Sequence, residues 1–178
     1  MTLVHKGFTR MKKMVQRIPK FSVIILVLLG VMLALAACGD QATQDTRRPI
    51  KATWIQPEIS GDIASIPVSE VDMNKIVHFK VTVAMGKDIA LMAYNIDGIL
   101  NVRSNVCPPC RSIGFSLAND VLVCDTCQTT FKAESGEGIS GACVAYPKAT
   151  VAYEIQNGKV LMDVDDITLA YETTLKPG

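Results

Sequence analysis

Two C-x-x-C pairs, Cys107-Pro-Pro-Cys110 and Cys124-Asp-Thr-Cys127, stand thirteen residues apart and hold four of the six cysteines in the chain. A two-residue gap lets both thiolates of one loop turn toward a common metal without strain, and a second such loop completes a tetrahedral sulfur set. Three chemistries compete for these residues: a metal centre on Cys107, Cys110, Cys124 and Cys127, a pair of disulfides, or a redox-active dithiol. The dithiol needs a C-x-x-C at a helix start within a βαβ unit, and no such context surrounds either pair. Two neighbouring pairs favour metal over small-loop disulfides. All-sulfur ligation suits zinc, a single iron or an iron-sulfur cluster, and spacing does not separate them. Zinc would hold the loops together and do no chemistry of its own. Cys143, in GISGACVAYPK, reads as a small buried thiol beside the site, with an alternate ligand or reactive thiol as the other reading. Neither histidine, His5 nor His78, falls in a cysteine loop, and His78 is expected on the surface.

The elements that must position these thiols read as strands. Val77, Phe79, Val81 and Val83 alternate with His78, Lys80 and Thr82, the pattern of a half-buried strand. Gly86-Lys87-Asp88 turns the chain into Ile89 to Tyr94, and Asp97-Gly98 turns it again into Ile99 to Val106, which predicts a three-stranded meander. Phe115 to Leu117 and Val121 to Val123 predict a short hairpin between the two cysteine pairs. Val151, Tyr153 and Ile155, then Asn157-Gly158, then Val160, Met162 and Val164 predict a closing hairpin. A helical turn is possible over Val68 to Asn74, and no longer helical period follows Ala37. Asp163, Asp165 and Asp166 read as a solvated turn after the last strand. The expected fold is therefore all-β and mostly antiparallel, with two metal-binding loops inserted before the closing hairpin.

Met1 to Ala37 holds six Lys or Arg and no acidic residue, with the apolar run FSVIILVLLGVMLALAA before Cys38. That layout is a secretory signal, and Leu35-Ala36-Ala37-Cys38 looks like a bacterial lipoprotein processing box whose cysteine is diacylated and becomes the new N-terminus. Two acyl chains suffice for stable anchoring; an uncleaved signal anchor is the alternative. The expected organisation is a signal peptide over 1–37, a lipidated Cys38 with a flexible polar tether over 38–52, and a β domain over 53–178. Trp54 is the expected first ordered residue. Without the leader, twelve basic residues face seventeen acidic ones, a formal charge of −5. A body this acidic, without a basic stripe, argues against nucleic acid as a partner and suits a basic docking surface on a membrane neighbour. No nucleophile stands beside a histidine and no glycine-rich phosphate loop is present, so no turnover enzyme is expected.

The order DGILNVRSNVCPPC, then GFSLANDVLVCDTCQTTF, then GISGACVAYPKATVAYEIQNGKVLMDV resembles the FtrD-like membrane iron-sulfur proteins and, more distantly, Rieske ferredoxins. The likeness spans about residues 66–164 and is most specific at the two C-x-x-C loops and the G-A-C-x-x-x-P segment around Cys143 and Pro147. It implies a Rieske-like sheet in which a D-G turn leads to a first ligand loop, a short hairpin to a second, and an aromatic strand start, a Gly and Pro segment and a closing hairpin follow. Rieske loops carry one Cys and one His each, whereas each loop here supplies two Cys. The FtrD-like resemblance implies a 2Fe-2S cluster or single iron, with zinc as the alternative. It further implies an electron-transfer accessory to subunits of a membrane iron or metal transport system, on the extracytoplasmic face. The other reading of the whole chain is a zinc-stabilised interaction module on the membrane surface.

Overall fold

The computed structural model describes residues 48–178; the expected signal segment, the Cys38 lipidation site and most of the tether lie outside the described residues. Three sheets and two short helices make up the described chain. The expected meander forms from β5 (Ile76–Val83), β6 (Lys87–Ile96) and β7 (Ile99–Ser104), all antiparallel, with β2 (Thr53–Trp54) adding a parallel edge to β5. Asp97 and Gly98 both take positive φ, 51° and 81°, as the two-residue hairpin turn requires. The first connection is a 3-10 turn over Ala84–Gly86, so Lys87 and Asp88 belong to β6 and not to the turn.

The second sheet has the order β12-β13-β4-β3, from β12 (Glu154–Gln156), β13 (Lys159–Asp163), β4 (Ile63–Pro67) and β3 (Glu58–Ser60). Asn157 and Gly158 close its hairpin at φ 50° and 73°. The strand before that turn is shorter than the alternation of Val151, Tyr153 and Ile155 suggests. Val151 is buried, whereas Ile155 lies in the edge strand and is 55% exposed. The third sheet carries the cysteines, in the order β1-β8-β9-β10-β11: β1 (Ile50–Lys51), β8 (Phe115–Ala118), β9 (Val121–Cys124), β10 (Thr130–Lys132) and β11 (Gly138–Ser140). Ile50 and Lys51 pair with Leu117 and Ser116, so ordered chain begins within the stretch whose composition reads as tether.

The meander is a wall with a core on each side. Val77, Phe79, Val81, Leu91 and Ala93 face one core with Ile66, Val160 and Met162, while Ile76, Met92 and Tyr94 face another with Phe115, Leu122, Phe131 and three cysteines. Strand alternation sends successive side chains to opposite faces, and both faces are covered at this end of β5 and β6. Each fully buried Leu, Phe or Met contributes roughly 1.5–3 kcal/mol, so the second core binds the cysteine sheet firmly to the meander.

Helix α1 (Val68–Asn74) matches the expected helical turn. Helix α2 (Val164–Thr174) corrects the reading of the acidic run as a solvated turn. Asp163 caps it, its Oδ1 accepting from the Asp165 N–H at 2.8 Å, and Asp165 and Asp166 lie in the first turn, where carboxylates offset the helix dipole. Ile167, Ala170 and Thr174 are its buried face.

Candidate metal centre

The two C-x-x-C loops are built alike. The Cys107 N–H donates to the Ser112 carbonyl at 2.8 Å and the Arg111 N–H to the Cys107 carbonyl at 2.8 Å. In the second loop the Cys124 N–H donates to the Thr129 carbonyl at 2.9 Å and the Gln128 N–H to the Cys124 carbonyl at 3.0 Å. Arg111 and Gln128, each one residue beyond its pair, both take φ 59°. A non-glycine residue in that conformation costs about 1 kcal/mol, a strain that persists only where the surroundings enforce it. Each loop thus wraps its thiols inward around two backbone hydrogen bonds. The Asp125 N–H donates to the Gly114 carbonyl at 3.0 Å and ties one loop to the other. Asn105 Nδ2 donates to the Ile113 carbonyl at 2.7 Å, pinning the first loop near the end of β7.

Five free thiols converge as a result: Cys107, Cys110, Cys124, Cys127 and Cys143. The close pairs cross between loops, with Cys107 Sγ 4.0 Å from Cys127 Sγ and Cys110 Sγ 3.7 Å from Cys124 Sγ. Cys143 Sγ lies 3.7 Å from Cys127 Sγ, and the sulfurs of Cys107, Cys110, Cys127 and Cys143 all fall within 4.8 Å of one another. Cys143 arrives on a segment held by two glycines in close quarters. A Cβ on Gly138 would stand 2.3 Å from the Val144 carbonyl oxygen, and one on Gly141, at φ 113°, 2.6 Å from Thr129 Oγ1. Thr129 itself is fully buried, its hydroxyl 3.2 Å from Cys127 Sγ and accepting from the Cys143 N–H at 3.2 Å.

Burial is the largest influence on Cys107, Cys124 and Cys127. It pushes Cys107 far up, and it raises Cys124. Burial raises Cys127 too, but hydrogen bonds from Thr129 and from the neighbouring thiols outweigh it and bring the group down to about 6. Thiol-rich and enclosed on one side by Phe115 and Phe131, the set has the donor chemistry that zinc, iron and iron-sulfur clusters require.

Three residues shape the site that the sequence did not assign to it, one of them, His78, expected on the surface. His78 is not on the surface: it is 2% exposed, because the polar face of β5 at this end is covered by the cysteine sheet. The Trp54 ring meets it edge-on at 5.0 Å, and burial lowers its pKa to about 4 against the opposing pull of Asp125. Arg103, buried at the end of β7, donates to the Tyr94 hydroxyl at 2.9 Å, to the Lys148 carbonyl at 2.9 Å, to Thr150 Oγ1 at 2.7 Å and to the carbonyls of Ser135 and Glu134. It thereby fixes the segments that flank the fifth cysteine. Lys148 is wholly buried beside the thiols. Its one sequence signal is that it is the sole charged residue between Gly138 and Tyr153.

A mostly antiparallel β domain with a buried multi-cysteine centre defines a metal-binding or iron-sulfur protein. Residues 71–173, more than half of the chain, match the family described as membrane iron-sulfur containing protein FtrD-like, and the chain belongs to that family. No curated protein matches it. Among solved structures it is similar to a chain in a complex of reduced oxygenase and oxidised ferredoxin in carbazole 1,9a-dioxygenase, at 17% identity and TM-score 0.48, covering 59% of this chain and 95% of that one. It is also similar to a ferredoxin of Sphingomonas yanoikuyae B1, at 25% identity and TM-score 0.39, covering 47% of this chain and 83% of that one. Among the described residues no helix is long and apolar enough to cross a membrane.

Proposed function

We propose that this chain is a lipid-anchored electron carrier on the extracytoplasmic face of a bacterial cell membrane. In this reading it holds a 2Fe-2S cluster on Cys107, Cys110, Cys124 and Cys127 and serves subunits of a membrane iron or metal transport system. The observation that carries the reading is the crossing of the thiol pairs, Cys107 with Cys127 and Cys110 with Cys124, so that each loop lends one sulfur to each pair. Such a set suits two irons, each shared between the loops, and a bound cluster supplies a one-electron couple. Thiolate ligation throughout puts more negative charge around the irons than two imidazoles would, which favours a potential below the Rieske range. The membrane placement draws support from the family description and from the lipoprotein-like box at Cys38.

A second reading has its own observation. A tetrahedral Zn–S bond of about 2.3 Å implies sulfurs about 3.8 Å apart. Cys107, Cys110, Cys127 and Cys143 form the compact tetrad, with near contacts of 3.7 and 4.0 Å. One structural zinc would then sit on that set, with Cys124 outside it. Two serine variants separate the readings. The cluster reading expects Cys124→Ser to lose visible absorption and electron transfer while Cys143→Ser keeps both. Metal loss in Cys143→Ser with a spared Cys124→Ser would overturn it in favour of the tetrad.

A further inference from the structure

Lys148 is the most deeply buried charged group beside the thiols. Its side chain has no solvent exposure, and its Nζ donates to the Val106 carbonyl at 2.7 Å, next to Cys107. The ammonium also lies over two aromatic faces, 4.5 Å from the Phe131 centroid and 5.4 Å from that of Phe115. Among the described residues, the ion pairs are Lys132 with Glu137 and Lys159 with Glu58, so no carboxylate pairs with this cation. Buried charges are ordinarily paired or held on a metal, because an uncompensated one carries a large desolvation cost. The backbone around Lys148 shows the placement to be enforced. Its N–H donates to the Gly136 carbonyl at 2.8 Å, and its carbonyl accepts from Arg103. A Cβ on Gly136, which has φ 78°, would fall 2.2 Å from that carbonyl oxygen.

We infer that Lys148 is the internal counter-charge of the cysteine centre, a positioning residue whose ammonium compensates the thiolates once they hold a metal. A thiolate set carries more negative charge than the metal it binds cancels, and the Lys148 ammonium lies against Phe115 and Phe131 of the core that holds the thiols. Burial lowers the pKa of Lys148, while Cys107, Cys124, Cys143 and Cys110 act to raise it, so cation and thiolates support each other's charged forms. In the metal-free protein the same ammonium is a buried charge with no carboxylate partner, and is a burden. The loaded and empty states therefore respond to its removal with opposite signs, and a purely packing role would give one sign for both. Where the metal is redox-active, the cation stabilises the more negative reduced state and raises the midpoint potential.

The inference rests on the cysteine centre being a metal site and is indifferent to which metal is held. The test uses the full chain in detergent, metal-free under reductant, with zinc alone as probe and a competing chelator to set the free concentration. Zinc binding by the wild type checks the metal site itself, and a wild type that binds none sinks the site. Lys148→Met is then expected to melt at or above the wild type without metal and to bind zinc roughly 10- to 100-fold more weakly, with Lys148→Arg recovering part of the affinity. A Lys148→Met chain that fails to fold or melts lower without metal overturns the inference, as does unchanged zinc affinity or an equal loss in both variants.

Discussion

His78 and Thr129 show how single side chains at this site respond to their surroundings. Burial depresses the His78 pKa from 6.5 to about 4, so between those values the unfolded chain binds a proton that the folded one refuses. The penalty for that refusal is absent above pH 6.5 and grows as pH falls, reaching about 3 kcal/mol near pH 4. Replacing His78 with Phe should flatten the pH dependence of metal-free stability over this window, read as the urea midpoint at each pH. An unchanged slope would show that His78 is not the group responsible. Thr129 acts on the opposite charge. Its hydroxyl, 3.2 Å from Cys127 Sγ, is the leading influence that lowers that thiol. Thr129→Val is therefore expected to raise the Cys127 pKa from about 6, seen as a rightward shift in thiolate absorbance with pH. Neither role could be read from sequence. Alternation along β5 puts His78 opposite Val77 and Phe79 but does not reveal that a second sheet covers its face.

At the scale of the element, turn chemistry was the most legible feature. Asp97-Gly98 and Asn157-Gly158 each adopt the paired positive φ that their dipeptides announce, and the two strands that each turn joins pair antiparallel as expected. The two C-x-x-C loops were legible for the same reason, since their spacing is a local property. Helix α2 was not. Its core-facing apolar positions, Val164, Ile167, Ala170 and Tyr171, are few, Leu169 points to solvent, Asp165 and Asp166 break the run, and the capping role of Asp163 emerges only once the helix is seen. Asp163→Ala should cost about 1 kcal/mol of stability by removing that cap, measured as a shift in denaturant midpoint with an unchanged slope. Gly141 tests the segment that delivers Cys143. With φ 113° and Thr129 2.6 Å from a new Cβ, Gly141→Ala should lose roughly 1–3 kcal/mol and displace the fifth thiol. Wild-type stability in that variant would mean the segment has room that this packing does not show.

For the whole molecule, the meander works as a partition: one core makes the scaffold and the other carries the chemistry. The all-β class and the position of the cysteine loops followed from periodicity and spacing. The burial of Lys148 and Arg103 did not, because long-range packing decides which isolated cation is enclosed. Mass spectrometry of the mature protein should find Cys38 at the N-terminus with two acyl chains, and an intact Met1 would rule out the lipoprotein. The electron-carrier account meets its most direct test when the full chain is purified anaerobically in detergent and its visible absorption is recorded beside iron, zinc and acid-labile sulfide content. The account predicts iron with matching sulfide and a visible band that bleaches on reduction. One zinc per chain, without sulfide or colour, would contradict it and leave a structural metal in a domain whose function lies on its surface.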